Sequence, residues 1–219
     1  MMIQEAILWG YEQLTPTSDS PRVDAELLLA HVLKKSTTFL FTHEKERLDR
    51  SRCWPLNEWH FRRLIQKRKR GVPVAYLVGH KEFYALDFKV NHSVLVPRPD
   101  TEILAECVIE YVRGLRSQNS GLSLLLVDVG TGSGCIPISV LKNVPGLNAV
   151  ATDISRSALS VAKENAKRHS VSRRIRFFKS DLLNQVPAEI LKGHAVILTA
   201  NLPYLPDKME VKPELGFEP

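Results

Sequence analysis

Cysteine is scarce and scattered in this chain of 219 residues: Cys53, Cys107 and Cys135 are odd in number and far apart. They form no CxxC pair and no Cys/His ligand spacing, so neither a disulfide framework nor a metal site is supported. They read as core or incidental surface thiols. Long apolar runs are also missing, and nothing approaches the roughly 18–20 residues that span a bilayer. The N-terminus, Met1-Met2-Ile3-Gln4-Glu5, lacks the basic-then-apolar organisation of a signal peptide. The chain therefore reads as cytoplasmic. Neither sign of charge dominates, since 30 Lys and Arg face 24 Asp and Glu, a net +6. That excess suits a phosphate-rich partner such as a ribosome or nucleic acid without requiring one. Repeats and low-complexity segments are absent as well. What remains is ordinary for a globular protein, 44% apolar and 25% charged, and long enough for one full domain and a smaller one.

Residues 1–71 carry helical periodicity and no strand-like alternation. Ile3, Ile7, Tyr11 and Leu14 recur at helical spacing, and Thr15-Pro16-Thr17-Ser18-Asp19 interrupts them. Ser20-Pro21 then supplies an N-cap and a proline at the first helical position, before an apolar face of Leu27, Leu28, Leu29 and Val32. A later helix starts near Pro55 and passes through Phe61, Leu64 and Ile65 to a stop at Gly71. Its second half, Arg62, Arg63, Lys67, Arg68, Lys69 and Arg70, reads as a solvated face whose basic end complements the helix dipole. Contact with RNA or an acidic partner is the less favoured alternative. Residues 1–71 are thus expected to form a small helical bundle.

Residues 72–97 change in texture. Phe83, Phe88 and Val90, with Val94-Leu95-Val96, predict strands joined by a turn at Asn91-His92-Ser93, a β-hairpin linker between two domains. Residues 98–219 begin with an amphipathic helix from Asp100 to about Leu115 through Ile103, Leu104, Cys107, Val108 and Tyr111. Strands then alternate with helices. Leu124–Val127, Ala149–Ala151, Ile175–Phe178 and Ala195–Leu198 are short apolar strands, and Ser157–His169 is one of the helices between them. Such alternation implies an α/β fold with a parallel sheet covered on both faces. Ligands are expected at the carboxyl ends of its strands.

The strongest local signal is Asp128-Val129-Gly130-Thr131-Gly132-Ser133-Gly134, set directly between an apolar strand and a helix. Glycines let the backbone turn sharply and let a ligand approach. The spacing G-x-G-x-G is not the dinucleotide fingerprint, and no Gly-Lys-Ser/Thr ending marks a P-loop. A pyrophosphate is therefore not the favoured ligand. Alone, the segment is equally at home as a tight structural turn. Asp153, at the end of the second strand, can accept hydrogen bonds from both ribose hydroxyls of an adenosine cofactor. Asp181, after the third, can accept from an adenine amine. Either aspartate alone is equally readable as a helix N-cap. Three ligand-ready groups at successive strand ends together indicate S-adenosylmethionine.

The fourth strand runs into Asn201-Leu202-Pro203-Tyr204, similar to the Asn/Asp-Pro-Pro-Tyr motif of methyltransferases that act on nitrogens attached to planar groups. Such a nitrogen is a poor nucleophile because its lone pair is delocalised. The Asn201 side-chain carbonyl and a following main-chain carbonyl can accept its two N–H bonds, holding it in line with the methyl donor. Pro203 stiffens the turn, and Tyr204 offers a face for stacking.

Over nearly its whole length the chain resembles the HemK/PrmC family of release-factor glutamine methyltransferases. The resemblance rests on Ser20-Pro21-Arg22-Val23-Asp24-Ala25-Glu26, Gly71–Gly79, Glu82-Phe83 and, most specifically, Val96-Pro97-Arg98-Pro99-Asp100-Thr101-Glu102. The glycine turn, Asp153, Asp181, the Asn201 motif and Gly216-Phe217-Glu218-Pro219 follow in order. It implies a class I Rossmann-like methyltransferase domain preceded by a helical domain that grips the release factor. It also implies transfer of a methyl group from S-adenosylmethionine to the glutamine of a Gly-Gly-Gln loop. By position, Gly130, Thr131, Gly132, Ser133, Gly134, Asp153, Asp181, Leu182 and Asn201 would line the cofactor. Asn201, Leu202, Pro203, Tyr204 and Arg98 would hold the substrate, with Asn201, Pro203 and Tyr204 as the catalytic group. A monomer that needs no nucleic acid is implied, with room for a ribosome contact.

Three departures from the family pattern stand out. The bulky aromatic common at the position of Leu182 is absent, which loosens one wall of the adenine pocket. The motif reads Asn-Leu-Pro-Tyr, a form shared with enzymes that dimethylate adenine in ribosomal RNA, so methylation of an exocyclic adenine amine is the rival reading. The chain also ends at Pro219, soon after the fourth strand, where relatives continue. It is expected to be a fragment or incomplete product with an exposed apolar sheet edge. A cofactor-binding protein without turnover is the alternative of another class. The expected chemistry is one in-line displacement with no metal and no covalent enzyme intermediate.

Overall fold

The computed structural model describes residues 1–48, 54–118, 121–202 and 216–219. Two compact units emerge, one built on Met1–Gly79 and the other beginning at His80. The first holds α1 (Ile3–Leu14), α2 (Pro21–Leu33), α3 (Thr37–Thr42), α4 (Trp54–Lys69) and α5 (Val74–Val78). Ile3, Ile7 and Leu14 of α1 meet Ala25, Leu28, Leu29 and Val32 of α2 and Phe61, Leu64 and Ile65 of α4 in one core. Tyr11 and Leu27, expected on those inner faces, are exposed.

Two local expectations change in this unit. Ser20 stands at the N-cap of α2, but its side chain caps nothing; its hydroxyl turns to Asp24 Oδ1 at 3.4 Å. Arg68 does not belong to a solvated basic face. It is buried, and its Nε donates to Asp24 Oδ2 at 2.6 Å. Ser18 Oγ donates to the same carboxylate at 2.7 Å and accepts from Arg68 Nη2 at 3.3 Å. Burial without a partner would cost either charge several kcal/mol, roughly, and the matched geometry offsets this. A sequence pattern cannot tell one arginine of a basic run from the next; the Asp24 carboxylate in the facing helix does.

The second unit opens with a hairpin of β1 (His80–Phe83) and β2 (Leu86–Lys89). Its turn lies at Tyr84-Ala85, where φ is 51° and 56°, a two-residue loop whose twist suits a hairpin. The segment expected to be the turn, Asn91-His92-Ser93, is a separate bend in which Asn91 Oδ1 accepts from Ser93 N at 2.9 Å. Val94-Leu95-Val96 is not a strand: Val94 N–H donates back to Asn91 O at 3.1 Å, within the bend, and the prolines at 97 and 99 cannot extend a ladder. Phe83 and Phe88 lie within the core of this second unit, so the hairpin is built into it. α6 (Asp100–Gln118) turns Ala105, Val108, Ile109 and Val112 inward, an i, i+3, i+4, i+7 stripe, and leaves Ile103 and Tyr111 exposed.

The sheet that follows is parallel, in the order β5-β4-β3-β6. β3 (Leu124–Val129) is buried along its whole length. β4 (Asn148–Asp153) pairs on one side and β6 (Ala195–Ala200) on the other, with β5 (Ile175–Lys179) beyond β4. α7 (Cys135–Asn143) and α8 (Arg156–Arg168) are among the helices of the unit, and α9 (Ala188–Leu191) precedes β6. The α/β architecture with a parallel central sheet and a helical N-terminal region matches the fold expected from the sequence. β6 stands last in the strand order of the described residues, and its Val196 and Leu198 are exposed.

Replacing Arg68 with Ala should strip Asp24 of its charged partner and lower unfolding free energy in urea by about 3–5 kcal/mol, whereas Asp24→Leu with Arg68→Met should recover most of it. An Arg68→Ala variant as stable as the parent would show that this pair does not hold the helical unit together.

Candidate active site at the strand ends

Parallel pairing brings the chemistry-bearing residues to one end of the sheet. Asp128 pairs in register with Ala151 and Thr199, and Val129 with Thr152 and Ala200. The glycine turn, Asp153 and Asn201 therefore leave three adjacent strands at the same level. Gly130, Gly132 and Gly134 all have positive φ. At Gly130 a Cβ would meet Leu202 Cδ2 at 2.7 Å, so the turn passes directly under the Asn201-Leu202 segment. At Gly132 a Cβ would meet nothing within 4 Å, leaving the backbone there open to a ligand.

Asp153 is not the cap of α8; Ser155 is, its hydroxyl accepting from Ala158 N at 3.2 Å. The aspartate instead accepts Gly132 N–H at 2.9 Å on one oxygen and Ser155 N–H at 2.8 Å on the other. A carboxylate has about four acceptor sites, so this held group keeps capacity for two hydroxyls. Asp181 and Leu182 are exposed in a turn after β5, Leu182 at φ 49°. Asp181 caps no helix: its N–H donates to Gln185 Oε1 at 3.0 Å, and α9 begins only at Ala188.

Asn201 is partly buried, and its Nδ2 donates to Thr101 Oγ1 at 3.3 Å. Arg98, expected to touch substrate, is ion-paired with Glu218 at 2.7 Å. Pro203 and Tyr204 lie outside the described residues.

Several contributors escape a sequence reading. Asn165 on α8, fully buried, donates to the carbonyls of Ser133 (2.9 Å) and Lys89 (3.0 Å) and accepts Lys89 N–H at 2.8 Å. It stitches the glycine turn to the end of β2. Asp128 is buried, with Thr199 Oγ1 donating to its Oδ1 at 2.7 Å. Burial pushes its carboxyl up to about 6; the Thr131 and Thr199 hydroxyls pull it back, and the Asp153 charge adds to the rise. Asp128 Oδ2, Thr131 Oγ1 and Thr152 Oγ1 are buried without a hydrogen-bond partner; the Thr131 hydroxyl acts on Asp128 without completing a bond of good geometry. These orphaned atoms belong to the ends of β3 and β4 and the turn between β3 and α7. An acceptor that burial has stripped of water suits the ammonium end of an amino-acid-bearing cofactor. The turn, the Asp153 carboxylate and this acceptor together fit S-adenosylmethionine.

Burial pushes the Cys135 thiol up to about 12, so the cysteine beside the turn is no nucleophile. Among the described residues no group of His, Cys, Asp and Glu is arranged to hold a metal, and no helix is long and apolar enough to cross a membrane.

Comparison with known proteins adds relatives over the whole chain. Residues 5–79 match the family model described as PrmC N-terminal domain, and residues 112–203 match the methyltransferase small domain. A release factor glutamine methyltransferase of Coxiella burnetii is 36% identical over 219 residues, all of this chain and 73% of the relative. One of Chlorobaculum tepidum is 41% identical over 215 residues, 93% of this chain and 70% of the relative. The N-terminal domain of human METTL16 is a partial structural likeness, with TM-score 0.42 and 21% identity over 61% of this chain and 53% of that one.

The buried Asp128 carboxyl has a measurable consequence. Its native value near 6, against 3.8 for the free group, means that the native state holds the proton more tightly. Its cost is thus absent below pH 4, grows as pH rises and is complete above about 6, on the order of 2–3 kcal/mol. Asp128→Asn keeps an acceptor for Thr199 and removes the charge. The stability gap in favour of the variant should therefore open between about pH 4 and 7 in denaturant titrations. A gap that does not change with pH would contradict the buried, destabilised carboxylate.

Proposed function

The chain belongs to the release factor glutamine methyltransferase family, and on that premise we propose how its residues carry out transfer of a methyl group from S-adenosylmethionine to the glutamine amide nitrogen of the Gly-Gly-Gln loop. The observation that carries this reading is the convergence of the glycine turn, Asp153 and Asn201 at one end of three paired strands. When bound, S-adenosylmethionine supplies an electrophilic methyl carbon on a sulfonium that leaves as a neutral thioether.

The protein's own groups bind and orient. Asp153, held by Gly132 N–H and Ser155 N–H, accepts the ribose hydroxyls. The open backbone at Gly132 admits the cofactor, and Thr131 and Ser133 belong to the same wall. Asp128 Oδ2 takes the cofactor ammonium, which removes the cost of its buried charge. Asp181 and Leu182, exposed after β5, stand at the adenine edge.

At the acceptor, Asn201 Oδ1 and the Leu202 carbonyl take the two N–H bonds of the glutamine amide. This turns its nitrogen toward the methyl carbon and stabilises the positive charge that develops there. The nitrogen then sheds one proton to solvent. Pro203 and Tyr204, outside the described residues, complete the motif, and the aromatic ring of the tyrosine is of a chemistry that suits a flat amide. Arg98 serves the substrate side through its ion pair with Glu218. The helical unit grips the release factor, and the enzyme acts as a cytoplasmic monomer with no need for nucleic acid.

Two variants separate the roles. Asn201→Ala should lower turnover by about 100-fold or more and leave cofactor affinity nearly unchanged; equal losses in both would count against its place at the acceptor. Asp153→Ala should weaken cofactor binding first, and an unaltered dissociation constant would sink the ribose contact. Both are measured with a release factor as acceptor and ribosomal RNA as control; label on RNA alone would move the assignment to adenine.

A further inference from the structure

The segment Val96–Glu102 is among the most distinctive in the sequence, yet binding the cofactor and holding the acceptor use little of it. In the structure three of its polar side chains are committed. Arg98 Nη2 donates to both carboxylate oxygens of Glu218, at 2.7 and 2.8 Å. Glu102 Oε1 accepts the N–H of Tyr84 at 3.0 Å, at the tip of the hairpin whose Phe83 and Phe88 are buried. Thr101 Oγ1, between these two anchors, receives the Asn201 amide.

The backbone between them is equally held. Thr101 N–H donates to Arg98 O at 3.0 Å and Glu102 N–H to Pro99 O at 2.9 Å. Just beyond, Ala105 and Ile109 are fully buried, so the first turn of α6 cannot slide along the unit without losing its packing. The Thr101 hydroxyl is thus a fixed point at the edge of the site.

An amide side chain has a donor end and an acceptor end, and rotation about its last bond exchanges them. With the nitrogen on Thr101, Asn201 keeps Oδ1 for the substrate. In the reverse orientation its NH2 would face the glutamine NH2, donor against donor. We propose that Thr101 is a positioning residue that holds the Asn201 side chain in place at the site, gripping it by Nδ2 with Oδ1 left for the substrate nitrogen, and that the Pro97–Glu102 segment holds Thr101 for that task. This inference rests on the reading of Asn201 given above.

Thr101→Val removes the hydroxyl at nearly constant shape at a half-exposed position, and Thr101→Ser restores it. Steady-state kinetics with a release factor should show kcat reduced by about tenfold in Thr101→Val, the scale of one lost hydrogen bond. KM and the cofactor dissociation constant should stay within about twofold, and Thr101→Ser should regain most of the rate. A melting temperature near that of the parent separates this from general damage; if the valine variant does not fold, Thr101→Ala takes its place. Unchanged kcat in Thr101→Val beside a collapse in Asn201→Ala would overturn the inference and leave the reading of Asn201 standing. Normal turnover in Asn201→Ala would overturn both. A serine variant as slow as valine would also overturn it, because the hydroxyl would then not be the operative group.

Discussion

The parallel pairing of β3 with β4 on one side and β6 on the other sets where chemistry can occur in this protein. Because those strands run together and in register, the turn after Val129, the carboxylate of Asp153 and the amide of Asn201 arrive side by side. The positions depend on burial of β3, whose six residues have no access to solvent to speak of. A slip of one residue in the pairing would move every β3 side chain to the opposite face of the sheet, into the wrong core. It would also separate the glycine turn from the Asn201 segment. Packing of the sheet and geometry of the site are one constraint.

Against that background the polar groups inside the sheet unit stand out. Asp128 sits at the end of β3 at a cost in native stability, with its carboxyl pushed up to about 6. Thr199 on the neighbouring strand answers one oxygen and leaves the other without a partner. Asn165, by contrast, spends its amide fully on Ser133 and Lys89, so it stabilises the turn rather than waiting for a ligand. A satisfied buried amide and a half-satisfied buried carboxylate thus stand at the same turn. Proteins that bind charged ligands commonly carry such a cost in the free state, because the ligand removes it.

Much of this could be read from residue order. The alternation of apolar strands with helices leads to the parallel sheet, and the glycine turn, Asp153 and Asp181 are legible as a set, with the Asn201 motif beside them, because each stands at the end of an apolar strand. Other features are invisible in one dimension. Nothing near Arg68 marks it off from its basic neighbours until Asp24 of α2 is placed against it. The hairpin turn at Tyr84-Ala85 leaves no mark in the sequence because neither residue is a usual bearer of positive φ, whereas the asparagine of Asn91-His92-Ser93 points to a turn there. The inner face of α6 is not evident from its large apolar residues, since Ile103 and Tyr111 are exposed and the smaller Ala105 and Val112 face inward. Thr101 could not be linked to Asn201 across a separation of 100 residues without the fold.

The Val96–Glu102 segment then has a physical reading of its own. It is a brace, tied to the hairpin through Glu102, to Glu218 through Arg98 and to the Asn201 amide through Thr101. A brace of this kind suits a reaction on a weak nucleophile, where orientation contributes more of the rate than acid or base chemistry. The most direct test of the central claim is fragmentation mass spectrometry of a release factor after incubation with this protein and S-adenosylmethionine. A single added methyl group located on the side-chain amide of the Gly-Gly-Gln glutamine is the expected result. A methyl group on a carboxylate, a lysine or a backbone terminus, with that glutamine unmodified, would contradict it.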